Sequence, residues 1–356
     1  MILRDLMRVL GSDRRDGRNL TADEAYRAFA TILSGAESEI RIGAFLTAMR
    51  WKGVTVEEFT GFARAAREQA RIPCNGMPDL VCVCPPHDGL ERRAPLETAA
   101  ALIAAAAGVR VLIISDRCVP PRRGLTAANV LEHLGASMTW DPSEAEDWVA
   151  RTRFAAVSAT GMLPPLLALR RVRAELGVRT ALSTIEKLLA PASAALVAGA
   201  WSGPVLGTAV ECVQSLGHRR AIVVQGLEGS VLPSLRRRSR GIELAETRQS
   251  PLTLDPADFG FGATEESELP LFGPPEDGQG SADVPALVRA AGETVHAVLA
   301  GATGTARDTS LLCAALLLKA AGRAMTLAEG VDAAMTALDT GGASEVLARV
   351  REACRK

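Results

Sequence analysis

The sequence predicts an α/β protein: a helical bundle ahead of a larger α/β domain built on a mostly parallel central sheet. Three observations predict it. The first seventy residues carry apolar positions at helical spacing only. From Leu80 onward, short continuous apolar runs alternate with helical segments, the pattern of βαβ units. From Pro164 to Leu189 the chain turns helical again before two more apolar runs follow. The 356 residues suit one large domain or two ordinary ones, and 48% hydrophobic residues supply a sizeable core and exclude disorder.

Taken in order, Thr21 with Glu24 three residues later carries the signature of a capping box. It opens a helix through Tyr26, Phe29 and Ile32 that stops at Ser34-Gly35. A second helix carries Ile40, Ala44, Phe45, Ala48 and Met49 and stops at Gly53. Thr55 and Glu58 cap a third, with Phe59, Phe62 and Ala66. Short connections predict a compact bundle. Residues 80–84, Leu-Val-Cys-Val-Cys, are a buried parallel strand; 95–107 an Ala-rich helix; 109–114 a second strand; 125–134 a helix ending at Gly135; 154–158 a third strand. Residues 195–200 and 221–224 are further strands, joined by a helix over 204–216. From 253 to 284 come Asp255, Asp258, Glu265, Glu266, Glu268, Glu276, Asp277 and Asp283 without one Lys or Arg, which predicts a solvated surface excursion. Three helices, over 284–300, 307–321 and 326–338, close the chain.

The 40 Lys+Arg against 41 Asp+Glu give a net charge of -1. No global basic field advertises nucleic acid, so such a partner needs a local patch. Residues 1–18 are charged and lack the apolar core of a signal peptide. The longest apolar run, 99–107, is too short to span a bilayer, so no membrane is expected. The seven cysteines, Cys74, Cys82, Cys84, Cys118, Cys212, Cys313 and Cys354, are odd in number and scattered. They argue against a disulfide framework and for a cytoplasmic setting. Cys82 and Cys84 alternate with valines on a strand, as small core residues do, and form no zinc site with His87 and Cys118.

Several segments resemble the anthranilate phosphoribosyltransferase family, related to the pyrimidine nucleoside phosphorylases. They are Ile32-Leu33-Ser34-Gly35, the run from Ile42 to Arg50, Gly61-Phe62-Ala63-Arg64, Glu175-Leu176-Gly177-Val178-Arg179-Thr180, Leu188-Leu189-Ala190-Pro191-Ala192 and Ala306-Arg307-Asp308. Together they cover most of the chain. The resemblance implies a discontinuous helical domain, 1–72 with 164–192, beside an α/β domain of 73–163 with 193–356. It also implies a homodimer formed through the N-terminal helices.

The site segments depart from the family pattern. The enzymes wrap the diphosphate of phosphoribosyl pyrophosphate in a Gly-Thr-Gly-Gly-Asp turn, whose amides must approach closely. This chain has Cys84-Pro85-Pro86-His87-Asp88-Gly89, and two prolines remove two donors. For the Asn-x-Ser/Thr-Thr element it has Pro95-Leu96-Glu97-Thr98, and for Lys-His-Gly-Asn it has Ile114-Ser115-Asp116-Arg117. The adjacent Asp-Glu pair that holds magnesium has no counterpart between Gln225 and Leu232, so the ion would lack its hard ligands. What stays is a residual cleft of His87, Asp88, Gly89, Thr98 and Arg173, the last matching the arginine that contacts anthranilate. Arg179 matches as well.

These departures resemble a divergent, YbiB-like branch, which lacks the glycine-rich motif and is associated with nucleic-acid binding. Gly226-Leu227-Glu228-Gly229, followed by an Arg-containing loop, carries that likeness. Arg92 and Arg93; Arg117, Arg122 and Arg123; and Arg236, Arg237, Arg238 and Arg240 all fall in expected loops after strands. Such loops gather at the carboxyl edge of a parallel sheet. The leading expectation is a protein without the anthranilate reaction that binds DNA or RNA through these arginines with little sequence preference. It would have no catalytic residue, metal or cofactor. The alternatives are a pentosyltransferase with a changed donor or acceptor, which would use magnesium, and a non-enzyme that binds a small molecule or partner.

Overall fold

The computed structural model describes residues 2–11, 17–201, 203–270 and 280–355. The chain opens with α1 (Ile2–Val9), α2 (Ala22–Leu33), α3 (Glu39–Lys52) and α4 (Val56–Gln69). Both expected capping boxes form, at Thr21/Glu24 and Thr55/Glu58. Glu58 does more than cap. Its buried carboxylate accepts from the Leu20 amide at 2.8 Å, the Thr55 amide at 2.9 Å and Lys52 Nζ at 2.8 Å, so three segments meet on one charge. The rings of Phe29, Phe45 and Phe62 fill the centre, with centroids 5.5 and 6.2 Å apart. Helix α1 lies in the charged leader, where the sequence announces no element; Leu3 and Leu6 anchor it in the bundle core. Met1 and residues 12–16 lie outside the described residues.

The α/β part runs β1 (Leu80–Cys84), α5 (Glu97–Ala106), β2 (Arg110–Ile114), α6 (Ala127–His133), α7 (Pro142–Thr152) and β3 (Phe154–Val157). The chain then returns to the bundle through α8 (Ala159–Met162), α9 (Pro165–Leu176) and α10 (Leu182–Ile185). It re-enters the sheet with β4 (Ala195–Gly199), α11 (Gly203–Ser215), β5 (Arg220–Val224), β6 (Ser239–Ala245) and β7 (Arg248–Leu254). Helices α12 (Pro285–Leu299), α13 (Thr305–Ala321), α14 (Leu327–Asp339) and α15 (Gly342–Ala353) finish it. The sheet order is β3-β2-β1-β4-β5-β6-β7, parallel through β5, with β6 and β7 added as an antiparallel hairpin.

Side chains alternate across the sheet with period two. Val81 and Val83 join the core shared with α5 and α13, while Cys82 and Cys84 join the core shared with the helical bundle. Both faces are therefore covered, which is why the strands read as continuous apolar runs.

Four expectations need correction. The hairpin β6–β7 is not among the expected strands, because its residues alternate with polar ones and include Pro251, tolerable at a sheet edge. Helix α7, with Asp141 as cap and Pro142 in its first turn, and a fourth closing helix, α15, are further additions to the expected elements. The helical stretch after Pro164 breaks at Gly177, which closes α9 in the left-handed conformation. The acidic excursion is not simply solvated. Leu269 is buried and donates its amide to the Arg92 carbonyl at 2.8 Å, and the Glu266 carboxylate accepts from the Ser234 hydroxyl and the Leu235 amide. Glu276 and Asp277 lie outside the described residues. No helix among the described residues is long and apolar enough to cross a membrane.

The strand order sets where a ligand would sit. From β1 the chain proceeds to β2 and β3 on one side, and from β4 to β5 on the other. The connections part between β1 and β4, leaving a crevice beyond their carboxyl ends, the usual place for ligands in open α/β sheets.

Candidate functional site at the interdomain cleft

A cleft of about 490 Å³ occupies that crevice. One wall is the turn after β1, with His87 and Asp88; a second is Ala200 and Trp201, after β4; the third comes from the bundle, with Arg50, Phe59, Arg179 and Lys187. The volume is that of a small-molecule site.

The turn after β1 is clamped. Gly89 has φ +77°, and a Cβ there would lie 2.3 Å from the Gly124 carbonyl carbon, so only glycine permits this approach. The Gly124 amide donates to the Asp88 carbonyl at 2.7 Å, and Leu90 and Leu125 exchange two bonds at 2.8 Å. Pro85 and Pro86 have no N–H, and the Gly89 amide donates to the Pro86 carbonyl at 3.0 Å. The amides at those three positions are thus absent or engaged.

Asp88, 1% exposed, accepts both prongs of Arg179: Nε to Oδ2 at 2.6 Å and Nη2 to Oδ1 at 2.5 Å. Arg50 in turn donates to the Arg179 carbonyl. Neighbouring His87 is 2% exposed and neither ring nitrogen has a partner. Burial pushes its pKa down to about 4, leaving a neutral imidazole near pH 7. Lys187 donates to the Gly199 carbonyl at 3.0 Å; burial, aided by the Arg179 charge, pulls its ammonium down to about 8.

Of the residual cleft read from sequence, the structure brings together His87 and Asp88. Gly89 shapes the clamp behind them. Arg173 is buried in an ion pair with Glu186 and also donates to Ser183 Oγ at 3.2 Å, and it does not line the cleft. Thr98 is buried at the start of α5 without a partner for its hydroxyl. Asp116 accepts from Ser158 Oγ at 2.5 Å and from the Thr160 amide at 3.2 Å, a structural role. Val231 and Leu232, at the end of the Gln225–Leu232 segment that has no adjacent Asp-Glu pair, are fully buried in the apolar core. No group of three His, Cys, Asp or Glu among the described residues converges to hold a metal.

The nine arginines do not act as one set. Glu228, at φ +53°, accepts from the amides of Glu91 at 2.8 Å and Arg92 at 3.2 Å and from Arg93 Nη1 at 3.2 Å; Arg122 Nη1 stands 3.9 Å away. Arg92 and Arg93 also pair with Glu268 at 2.8 and 2.7 Å, Arg117 with Glu132 at 2.6 Å, and Arg238 with Asp255 at 2.5 Å. Arg123 is half-buried at φ +52°. Arg236, Arg237 and Arg240 are exposed and form no ion pair among the described residues. The acidic excursion supplies Glu268 and Asp255, so part of the expected basic edge is neutralised from within.

Sequence reasoning missed Trp201, which is 58% exposed with the guanidinium groups of Arg122 and Arg179 over its ring at 5.1 and 5.9 Å. The signal that could have found it was an aromatic residue just beyond an apolar strand, on the ligand edge.

One buried acid makes the interior testable. Desolvation raises the Glu97 carboxyl to about 7. A folded pKa above the unfolded one gives stability that is complete below about 4.5 and is lost as pH climbs to about 7, a loss of about 3 kcal/mol. We predict that Glu97→Gln raises the melting temperature at pH 8 and changes it little at pH 4. Thermal melts at the two pH values check this; an equal shift at both contradicts it.

The glycosyl transferase family matches the chain twice: its helical bundle domain over residues 13–70 and its a/b domain over 94–344. The anthranilate phosphoribosyltransferase of Methanothermobacter thermautotrophicus is 33% identical, with 94% of this chain and 95% of that protein covered. That of Methylobacterium radiotolerans is 32% identical, covering 94% and 92%. The crystal structure of the Thermus thermophilus enzyme has a TM-score of 0.80 at 28% identity, covering 95% of this chain and 97% of that one. The Saccharomyces cerevisiae enzyme in complex with PRPP and Mg also reaches 0.80, at 16% identity over 99% and 98%, a likeness of fold. The chain belongs to the anthranilate phosphoribosyltransferase family of glycosyl transferases.

Proposed function

We propose that this chain keeps the family's fold and cleft without phosphoribosyl transfer. In this reading it binds the phosphodiester backbone of DNA or RNA through Arg236, Arg237, Arg238 and Arg240. The observation that carries the reading is the division of charge: Arg92, Arg93, Arg117 and Arg122 face carboxylates of the chain, whereas Arg236, Arg237 and Arg240 are exposed without one among the described residues. They stand on one loop and strand beside grooves that also take in Gly226 and Leu227. Guanidinium forks suit phosphate oxygens, and contacts to phosphate carry affinity without reading sequence.

The donor site supports the same reading. The residues present do not fit a magnesium–diphosphate pair. The segment from Gln225 to Leu232 holds no adjacent Asp-Glu pair, Pro85 and Pro86 in the turn after β1 have no N–H to offer, and Asp88 is engaged with Arg179. A pentosyltransferase with a changed donor is the second reading. It is favoured by 33% identity to an anthranilate phosphoribosyltransferase across almost the whole chain, and magnesium would belong to that reading alone.

We also propose a homodimer through α3. Ile40 and Trp51 are 84% and 82% exposed and lie eleven residues apart, about three turns, with exposed Ala44 and Thr47 between them on the same stripe. An apolar stripe left open on a bundle suits a second copy of itself. Light scattering on a sizing column is expected to give a dimer for the wild type and a monomer for Ile40→Glu/Trp51→Glu; a monomeric wild type contradicts the interface.

Replacing Arg236, Arg237 and Arg238 with Ala is expected to weaken DNA binding at all sequences. It should flatten the dependence of log affinity on log salt by about two to three units. The melting temperature should hold, since exposed substitutions of this kind change stability by about 0.5 kcal/mol or less. Anisotropy titrations across a salt series check this; unchanged affinity and slope would remove the loop from the proposal.

A further inference from the structure

Trp201 is a large aromatic side chain left 58% exposed, with the guanidinium groups of Arg122 and Arg179 over part of its ring. It does not fill a core, and its ring borders a cavity of about 490 Å³ at the sheet's ligand edge. Gly229 sets its place. That residue has φ +76°, and a Cβ there would stand 3.0 Å from Cε3 of the indole, so glycine lets the ring lie against the turn. The same turn, through Gly226 and Leu227, borders a groove with Arg237, Arg238 and Arg240. The aromatic face and the arginine rim are therefore joined by one turn of four residues, Gly226 to Gly229.

The cleft beyond the ring has one buried polar side chain without a partner among the described residues. His87 has two buried ring nitrogens with none, and a neutral imidazole offers one donor and one acceptor. Ser183, Thr184 and Lys187 line the same cavity. Arg122 and Arg179, over the indole, keep positive charge beside the aromatic face.

An exposed aromatic ring flanked by guanidinium groups, a concave site with an unpartnered imidazole and nearby hydroxyls, and a rim of exposed arginines together suit one ligand chemistry. We infer that the cleft takes one unstacked base of a single-stranded nucleic acid, its face on Trp201 and its polar edge toward His87, Ser183 and Thr184. The strand then crosses the Gly226–Gly229 turn to the arginines. Stacking of this kind tolerates any base, since every base has a π-face. A duplex offers no such base unless one is flipped out at a cost. The inference rests on the polyanion reading above and adds the kind of strand.

The test is a set of anisotropy titrations at low salt with three labelled probes of equal length: an oligothymidylate, an abasic strand with the same phosphates, and a duplex. The wild type is expected to bind the oligothymidylate about tenfold tighter than the abasic strand. Trp201→Ala should abolish that difference and leave the abasic and duplex affinities as they were. Trp201→Phe, which keeps a stacking face, should retain most of it and guards against a fold defect in the alanine variant. Equal affinity of the wild type for oligothymidylate and abasic strand overturns the inference, as does a Trp201→Ala variant that keeps the preference. If all three probes bind alike and weaken only with the arginine substitutions, the base site alone falls. If none of them binds, the polyanion reading falls and the base site with it.

Discussion

The bidentate pair between Asp88 and Arg179 is the contact on which the site depends. Asp88 hangs from the turn after β1, and Arg179 comes from the bundle segment between α9 and α10. Arg50 of α3 bonds to the backbone of Arg179 and extends the link into the N-terminal helices. The bundle and the sheet are thus tied across the crevice where the strand order parts. A buried carboxylate is tolerable here because the guanidinium fork matches it; without Arg179 it would be left uncompensated.

The same solution recurs around the cleft. Glu186 faces Arg173, Asp116 gathers the hydroxyls of Ser158 and Thr160, and Glu228 collects two amides and Arg93. Each is a carboxylate of the chain placed among donors that would otherwise suit an anionic ligand. The consequence is a cleft whose cations are largely paired, lined by a neutral His87 and an open Trp201. Positive charge without a partner among the described residues lies farther out, at Arg236, Arg237 and Arg240. Shape and charge are in this way separated: the cavity lies in the crevice between the carboxyl ends of β1 and β4, and these exposed arginines line neighbouring grooves.

Much of the fold was legible in the sequence because local signals and tertiary packing agree. Thr21/Glu24 and Thr55/Glu58 cap the helices they announced, and the apolar run at Leu80 to Cys84 is buried on both faces. The hairpin β6–β7 was hidden because an edge pair with one covered face carries polar residues. Helix α7 was hidden although Asp141-Pro142 is a start signal. The site's departures from the family pattern were legible, since Pro85 and Pro86 in the turn after β1 and the lack of an adjacent Asp-Glu pair between Gln225 and Leu232 are visible in the sequence alone. Its positive features were not. That Asp88 faces Arg179, that Glu268 neutralises Arg92 and Arg93, and that Trp201 stands open are long-range matters of approach. The nearest of these pairs in sequence, Asp88 and Arg179, is separated by 91 residues.

Loss of the donor site is the central claim, and titration calorimetry of phosphoribosyl pyrophosphate into the protein addresses that loss without depending on turnover. With magnesium or without it, heats of dilution only are expected, because Pro85 and Pro86 have no N–H, the Gly89 amide is engaged, and no adjacent Asp-Glu pair between Gln225 and Leu232 offers oxygen to the metal. Saturable binding that requires magnesium would contradict the claim and return the chain to the working transferases of its family.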